Sequence, residues 1–303
     1  MASYEKYLLP EVLQRVTRLD LRARFLVEGF FAGMHESPYK GFSVEFSDHR
    51  KYVPGDELRR VDWKLYAKTD RFYVKRFQAE TNMECHLLLD RSASMGFRPE
   101  TLPRRFMTKF EYSTAIAAAL GYLMITQQDA VGMVTFDSRV REYARPRSKR
   151  THLGDILSIL ANCEPEGFTD VSESITQAAH LIRKRGLVVI LSDFLDEPEH
   201  IEKSLANLRY AGHDVIAFHV LDSAEANFPY RGAMEFTEPE TGARVRVDAD
   251  GVRAGYLKAV SGFVEDLRRR CRARGIDYVQ LDTSVAFDQA LASFLANRKR
   301  NFL

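Results

Sequence analysis

The stretch His86-Leu87-Leu88-Leu89-Asp90-Arg91-Ser92-Ala93-Ser94-Met95-Gly96 decides how the rest of the chain reads. A short apolar run, Leu87 to Leu89, suits a buried strand. It ends in a carboxylate, Asp90, followed by hydroxyls at alternate positions, Ser92 and Ser94. Gly96 and Pro99 then interrupt regular structure before a long helical pattern begins. A carboxylate and two hydroxyls therefore fall where a strand leaves its sheet, the edge at which open α/β sheets bind ligands. An all-oxygen group of this kind suits a hard divalent cation such as magnesium. The same pentapeptide serves equally as a Ser-rich turn with a capping Asp, so the remaining sequence has to decide.

Outward from this stretch the chain alternates strand and helix patterns. Thr108 to Gln127 reads as a helix with Phe110, Ala117, Leu120 and Met124 on one face, and Ala130 to Phe136 as an apolar strand with a short neighbour, Val140 to Ala144. Helical patterns at His152–Leu160 and Val171–Lys184 precede a fully apolar strand, Leu187–Leu191, which leads into Ser192-Asp193. Pro198–Tyr210 reads as a helix with Pro in its first turn, Asp214–Leu221 as a strand, and residues 230–250 as a hairpin around Pro239-Glu240-Thr241-Gly242. A helix over Tyr256–Arg274 stops at Gly275, and a last strand, Ile276–Leu281, and a last helix, Val285–Arg298, follow. Strands alternating with helices of this length predict an α/β fold: a doubly wound, mostly parallel, Rossmann-like sheet flanked by helices. Val140–Ala144 follows its predecessor too closely for a crossover and must be an antiparallel edge strand.

Upstream, Val12, Leu13, Val16, Leu19, Phe25 and Leu26 recur at helical spacing within residues 10–34, with Arg15, Arg18, Arg22 and Arg24 on a solvated face. Gly41–Tyr52 and Phe72–Phe77 alternate as strands around a Pro54-Gly55-Asp56 turn and the single tryptophan, Trp63. Asp56, Arg59, Asp62 and Lys64 are expected to pair and hold this layer together. The predicted organisation is a helical and β-rich region over 1–83, then an α/β domain over 84–303 with a small hairpin insertion near 230–250.

Composition narrows the function classes. In 303 residues, 45% hydrophobic and 28% charged side chains describe a soluble protein with an ample core. A net charge of +2 gives no nucleic-acid or membrane signal. Cys85, Cys163 and Cys271 are scattered, which argues against a zinc site or disulfide framework and fits a reducing compartment. Met1 to Pro10 lacks a basic-then-apolar signal pattern, and no stretch approaches the roughly 18 apolar residues of a membrane helix. A cytoplasmic protein without membrane insertion is expected.

Two further oxygen-rich spots fall at the same sheet edge. Glu166-Gly167-Phe168-Thr169-Asp170 precedes a helix that Asp170 is expected to cap, and Asp193 follows the most apolar strand. Each serves singly as a cap or turn. Together Asp90, Ser92, Ser94, Thr169 and Asp193 form one set drawn from three loops.

Asp90-x-Ser92-x-Ser94, then Thr169 in a Gly-x-Thr-Asp loop, then Ser192-Asp193, resembles the metal-ion-dependent adhesion site of von Willebrand factor A domains, over residues 84 to about 225. The resemblance implies that the Ser92, Ser94 and Thr169 hydroxyls bind Mg²⁺ or Mn²⁺, with Asp90 and Asp193 acting largely through bound waters. A partner's Asp or Glu carboxylate would complete the shell. Upstream, Glu45-Phe46-x-x-x-Arg50-x-Tyr52-x-Pro54-Gly55-Asp56-x-x-Arg59-x-x-Asp62-Trp63 resembles the signature of the domain of unknown function family 58. Its members often carry two N-terminal membrane helices, which this sequence does not show. That likeness implies a bacterial protein acting with a MoxR-type AAA+ ATPase in protein maturation or complex assembly. It also marks Arg50, Tyr52, Asp56, Arg59, Asp62 and Trp63 as a partner-binding or structural signature.

The expected function is thus a non-enzymatic, metal-dependent protein-binding module. A magnesium-dependent phosphohydrolase with Asp90 as nucleophile is the first alternative. It is disfavoured because Ser92 stands where a second carboxylate would be the acid/base, and because no lysine is evidently placed to neutralise a phosphoryl group. Nucleic-acid binding through the Arg268–Arg274 stretch is the second. It lacks an aromatic stacking platform, and arginines at a helix end also complement the macrodipole.

Overall fold

The computed structural model describes residues 44–53, 61–79, 84–99, 107–291 and 293–294. The helix expected over 10–34, the residues Asp56 and Arg59, and the end of the helix expected to reach Arg298 lie outside them. The chain divides into two compact units, Met34–Asn82 and a larger one that contains Met83–Leu303.

In the smaller unit, β1 (Val44–Lys51) and β2 (Tyr73–Ala79) pair antiparallel, with a register shift between Phe46 and Asp48. Arg50 lies in this ladder opposite Val74. Between the strands runs α1 (Trp63–Thr69). Asp62 starts it by accepting the Leu65 N–H on Oδ1 at 3.1 Å, so this acid works as a helix cap. Tyr66 and Phe72 stack with ring centroids 4.4 Å apart, Tyr52 lies 6.1 Å from Phe72, and Trp63 meets Tyr66 and Phe72 edge-on at 6.1 and 6.4 Å. Aromatic packing therefore organises the described part of this layer, with Trp63 still 56% exposed.

The larger unit is built on six strands: β3 (Glu84–Asp90), β4 (Ala130–Phe136), β5 (Val140–Arg147), β6 (Gly186–Ser192), β7 (Asp214–Leu221) and β10 (Asp277–Asp282). They lie in the order β10-β7-β6-β3-β4-β5, all parallel except β5, which runs antiparallel to β4 at the edge. The expected α/β sheet with one antiparallel edge strand is what forms. β5 extends past Ala144 to Arg147 because an edge strand tolerates Pro146. β3 and β6 are buried along both faces, which is why they read as unbroken apolar runs rather than alternating ones.

Helices cover both faces. Leu88, Val134, Val188 and Ile190 pack with α4 (Val171–Leu181), α5 (Pro198–Tyr210) and α7 (Ala249–Ala273). On the other face α2 (Lys109–Thr126) lies against the sheet and against α3 (Arg150–Asn162). α2 is buried around nearly its whole circumference, not along one face, because it has the sheet on one side and α3 on another. Thr108 caps it in a reciprocal box with Glu111.

Two helices depart from the sequence reading. α7 begins at Ala249, seven residues before Tyr256. Gly251 and Gly255 weaken the helical signal there, each by about 1 kcal/mol relative to Ala. Contacts to the preceding hairpin compensate, including Gly232 N–H to Asp250 Oδ2 at 2.8 Å and an Arg253 bond to the Tyr230 carbonyl. α6 (Ser223–Asn227) is a short turn that periodicity cannot reveal. The arginine-rich end of α7 is paired with acids: Arg270 with Asp266, Glu202 and Glu199, and Arg274 with Glu202 and the Tyr210 hydroxyl. These bonds staple α7 to α5, so much of the stretch's charge faces acids of this chain. All three cysteines are buried and free, and no helix among the described residues is long and apolar enough to cross a membrane.

At the start of the β3–β6 pairing, a Cβ placed on Gly186 would sit 2.0 Å from the Glu84 carbonyl oxygen. That atom is backbone and cannot swing aside. Gly186→Ala is expected to cost about 3 kcal/mol by forcing the central ladder apart, read as a fall in the thermal midpoint. Unchanged stability would show that the two strands part more easily than their register implies.

Candidate functional site

β3 and β6 are parallel neighbours, so Asp90 at the end of one lies beside Ser192 at the end of the other. The Ser192 hydroxyl donates to Asp90 Oδ2 at 2.5 Å, and the Ser92 N–H donates to Oδ1 at 2.9 Å. A single turn of 3₁₀ helix, Ala93–Gly96, follows and brings the Ser92 and Ser94 hydroxyls to 3.0 Å from each other. Asp90, Ser92, Ser94, Ser192 and Asp193 are all buried.

The loop before α4 is sewn onto this turn. Ala93 N–H donates to the Gly167 carbonyl at 3.1 Å, Glu166 N–H to the Arg91 carbonyl at 2.8 Å, and Arg91 pairs with Glu166. Gly167 has φ +86°, and a Cβ there would also press on Asp137, so glycine is the residue that lets the loop turn back. Asp170 caps α4 through the Glu173 N–H at 2.9 Å, as its position suggested. Thr169, one residue earlier, is half-buried and directs both its N–H and its hydroxyl to Glu240 of the distant hairpin.

Asp193 has a partner that sequence reasoning missed. Lys109, the first residue of α2, is buried and places Nζ 2.8 Å from Asp193 Oδ2 and 2.7 Å from Glu225 Oε1. Sequence reasoning found no lysine evidently placed to neutralise a phosphoryl group; Lys109 lies beside Asp193, with its ammonium engaged by two carboxylates. One signal was available: a cation at a helix N-terminus opposes the macrodipole and calls for a nearby anion. Glu225 was readable too, as the third residue after Asp222 in a capping box; its Oε2 accepts the Asp222 N–H at 2.9 Å. Phe194 follows Asp193 with φ +50°, a costly conformation for a bulky residue. It is held there by the Ser192 hydroxyl on its N–H at 2.9 Å and by the Asp196 N–H on its carbonyl at 2.8 Å.

Two carboxylates, Asp193 and Glu225, share one ammonium, Lys109, and the charge of Asp193 also acts on Asp90. Burial, then the charge of Asp193, push the Asp90 carboxyl up to about 7, although bonds from Ser192 and Ser92 pull the other way. Burial also raises Glu225. Burial alone would lower Lys109, but Asp193 and Glu225 outweigh it and hold the ammonium charged.

The donor atoms here are hydroxyl and carboxylate oxygens, the kind a hard cation takes. Among the described residues no group of three or more His, Cys, Asp or Glu could hold a metal ion by itself, so the hydroxyls of Ser92 and Ser94 would have to supply part of any shell. A divalent cation would favour the charged form of Asp90, which burial and Asp193 oppose. Asp90, Ser92 and Ser94 would face it directly or through water, and Asp193 and Thr169 would approach from the neighbouring loops.

Of the sequence-derived signature, Tyr52, Asp62 and Trp63 belong to the smaller unit's aromatic and capping structure, and Arg50 to its ladder.

Among solved structures, the chain is similar to BatB, a conserved hypothetical protein from Bacteroides thetaiotaomicron, at 15% identity and a TM-score of 0.48, covering 72% of this chain and 99% of that one. It is also similar to the SpRpn10 VWA domain, at 13% identity and a TM-score of 0.40, covering 72% of this chain and 95% of that one. Among curated sequences it is 27% identical over 298 residues to the uncharacterized protein Mb1516 of Mycobacterium bovis, covering 97% of this chain and 92% of the relative. The uncharacterized protein Rv1480 of Mycobacterium tuberculosis matches to the same extent. Residues 48–262 match the family model described as protein of unknown function DUF58, and the chain belongs to that family.

Proposed function

We propose that the chain is a protein-binding module whose contact is a divalent cation, Mg²⁺ or Mn²⁺, held at the ends of β3 and β6. The observation that carries this reading is geometric: the buried Asp90 carboxylate, fixed by Ser192 and the Ser92 N–H, stands beside the paired hydroxyls of Ser92 and Ser94 at the strand ends. With neutral hydroxyls for most of its protein ligands, such a cation stays electrophilic and accepts a carboxylate from outside. Ser192 and the Ser92 N–H would fix the Asp90 carboxylate in one orientation. Lys109 would hold Asp193 in place while offsetting its charge. The partner we propose, from the family resemblance, is a MoxR-type AAA+ ATPase offering an Asp or Glu.

Lys109 supplies the phosphohydrolase alternative with a lysine, but its ammonium is engaged by two carboxylates and Ser92 still occupies the acid/base position. Binding therefore remains the better account.

Purified MoxR-type ATPase should be retained by the immobilised full chain in Mg²⁺ and retained at least tenfold less in EDTA. The Asp90→Ala, Ser92→Ala double variant should behave in Mg²⁺ as wild type does in EDTA. Equal retention in all these conditions would refute the cation-bridged contact.

A further inference from the structure

The β8–β9 hairpin, β8 (Ala233–Thr237) with β9 (Arg244–Asp248), touches the loop before α4 where Glu240 bonds Thr169. Its base is fixed independently of its tip. Phe228 stacks on Phe236 at 5.7 Å and packs on Tyr256 at 4.6 Å, and Tyr230 meets Phe236 at 5.2 Å. Ala249 N–H bonds the Gly232 carbonyl at 2.8 Å. The tip is a closed turn, with Glu238 N–H to the Ala243 carbonyl at 2.8 Å, Gly242 N–H to the Glu238 carbonyl at 2.9 Å, and Gly242 at φ +71°.

From Thr237 to Arg246 every residue is exposed except Glu240. Its carboxylate leaves solvent to meet Thr169, 71 residues away: Oε2 accepts the Thr169 N–H at 3.0 Å, and Oε1 accepts the hydroxyl proton. A hydroxyl that donates its proton keeps its lone pairs, so holding this carboxylate leaves Thr169 lone pairs to offer a cation.

We propose that Glu240 occupies the seat of the partner's carboxylate, making the hairpin a tethered plug that an acidic partner must displace. The proposal rests on the cation reading above and adds its regulation. A tethered carboxylate acts at an effective concentration of about millimolar or more. An outside carboxylate must compete with it, and its apparent affinity falls by the fraction of time the seat is free. The hairpin thus suppresses capture of stray carboxylates, and only a partner with contacts beyond one acidic side chain would open the site.

The test uses the full chain loaded with Mn²⁺ and N-acetylglutamate amide as probe, following paramagnetic broadening of the probe's side-chain methylene signals. Glu240→Ala should reach half-maximal broadening at about tenfold lower probe concentration than wild type, and Glu240→Gln should fall between them. Adding Mn²⁺ should also slow amide hydrogen exchange at Thr169 and across residues 240–243 in wild type. Equal probe response in wild type and Glu240→Ala, with both binding Mn²⁺, would overturn the plug and leave the cation site standing. Failure of both proteins to bind Mn²⁺ would remove the cation reading, and the plug with it.

Discussion

Lys109→Met is expected to destabilise the protein by about 3–5 kcal/mol. The methionine fills the space of the lysine stem but leaves Asp193, fully buried, and Glu225, mostly buried, without their cation. Removing one partner of a buried ion pair costs this much because the other charge stays desolvated and unanswered. For a chain of this size the thermal midpoint should fall by about 10 °C. The double variant Lys109→Met, Asp193→Asn should recover part of the loss, because the carboxylate left unpaired is then neutral; coupling of this kind is the signature of contacting residues. A fall of only a degree or two would show that the Lys109 ammonium reaches water, against the burial described for it.

The second large effect concerns the metal. Mg²⁺ at a hundred times its dissociation constant should stabilise the wild-type chain by about 2.7 kcal/mol, since a ligand that binds only the folded state shifts unfolding by mass action. Asp90→Asn separates a structural from a metal-holding role. It keeps the shape of the side chain, its oxygen can still accept the Ser92 N–H while its amide donates to the Ser192 oxygen, and it removes a charge that burial and Asp193 already disfavour. In EDTA this variant should unfold no earlier than wild type, and in Mg²⁺ it should show no shift. If instead it unfolds well below wild type in EDTA, the Asp90 charge serves the fold, and the cation is not what it is kept for.

How much of this was legible in the sequence follows from the range of the interactions. The strand ends were readable because a strand buried on both faces is an unbroken apolar run, and the first polar residue after Leu89 or Leu191 marks where it leaves the sheet. Asp170 was readable as a cap because capping is a contact over three residues. Lys109 with Asp193 and Glu225, and Thr169 with Glu240, join residues 71 to 116 positions apart, and no local pattern encodes such pairs. The start of α7 was hidden by two glycines that only the hairpin's contacts make tolerable. In the smaller unit Asp62 caps α1, a role its place just before a helix allows because it meets the free N–H groups of the first turn.

The central claim is that the ends of β3 and β6 hold one divalent cation. The stoichiometry of Mn²⁺ bound to the purified full chain, read from the loss of the free-ion electron paramagnetic resonance signal, tests it most directly. One equivalent should bind to wild type, and none to Asp90→Ala or to the Ser92→Ala, Ser94→Ala double variant, with both variants folded by circular dichroism. Binding that is equal in wild type and these variants, or absent from all of them, would contradict the account.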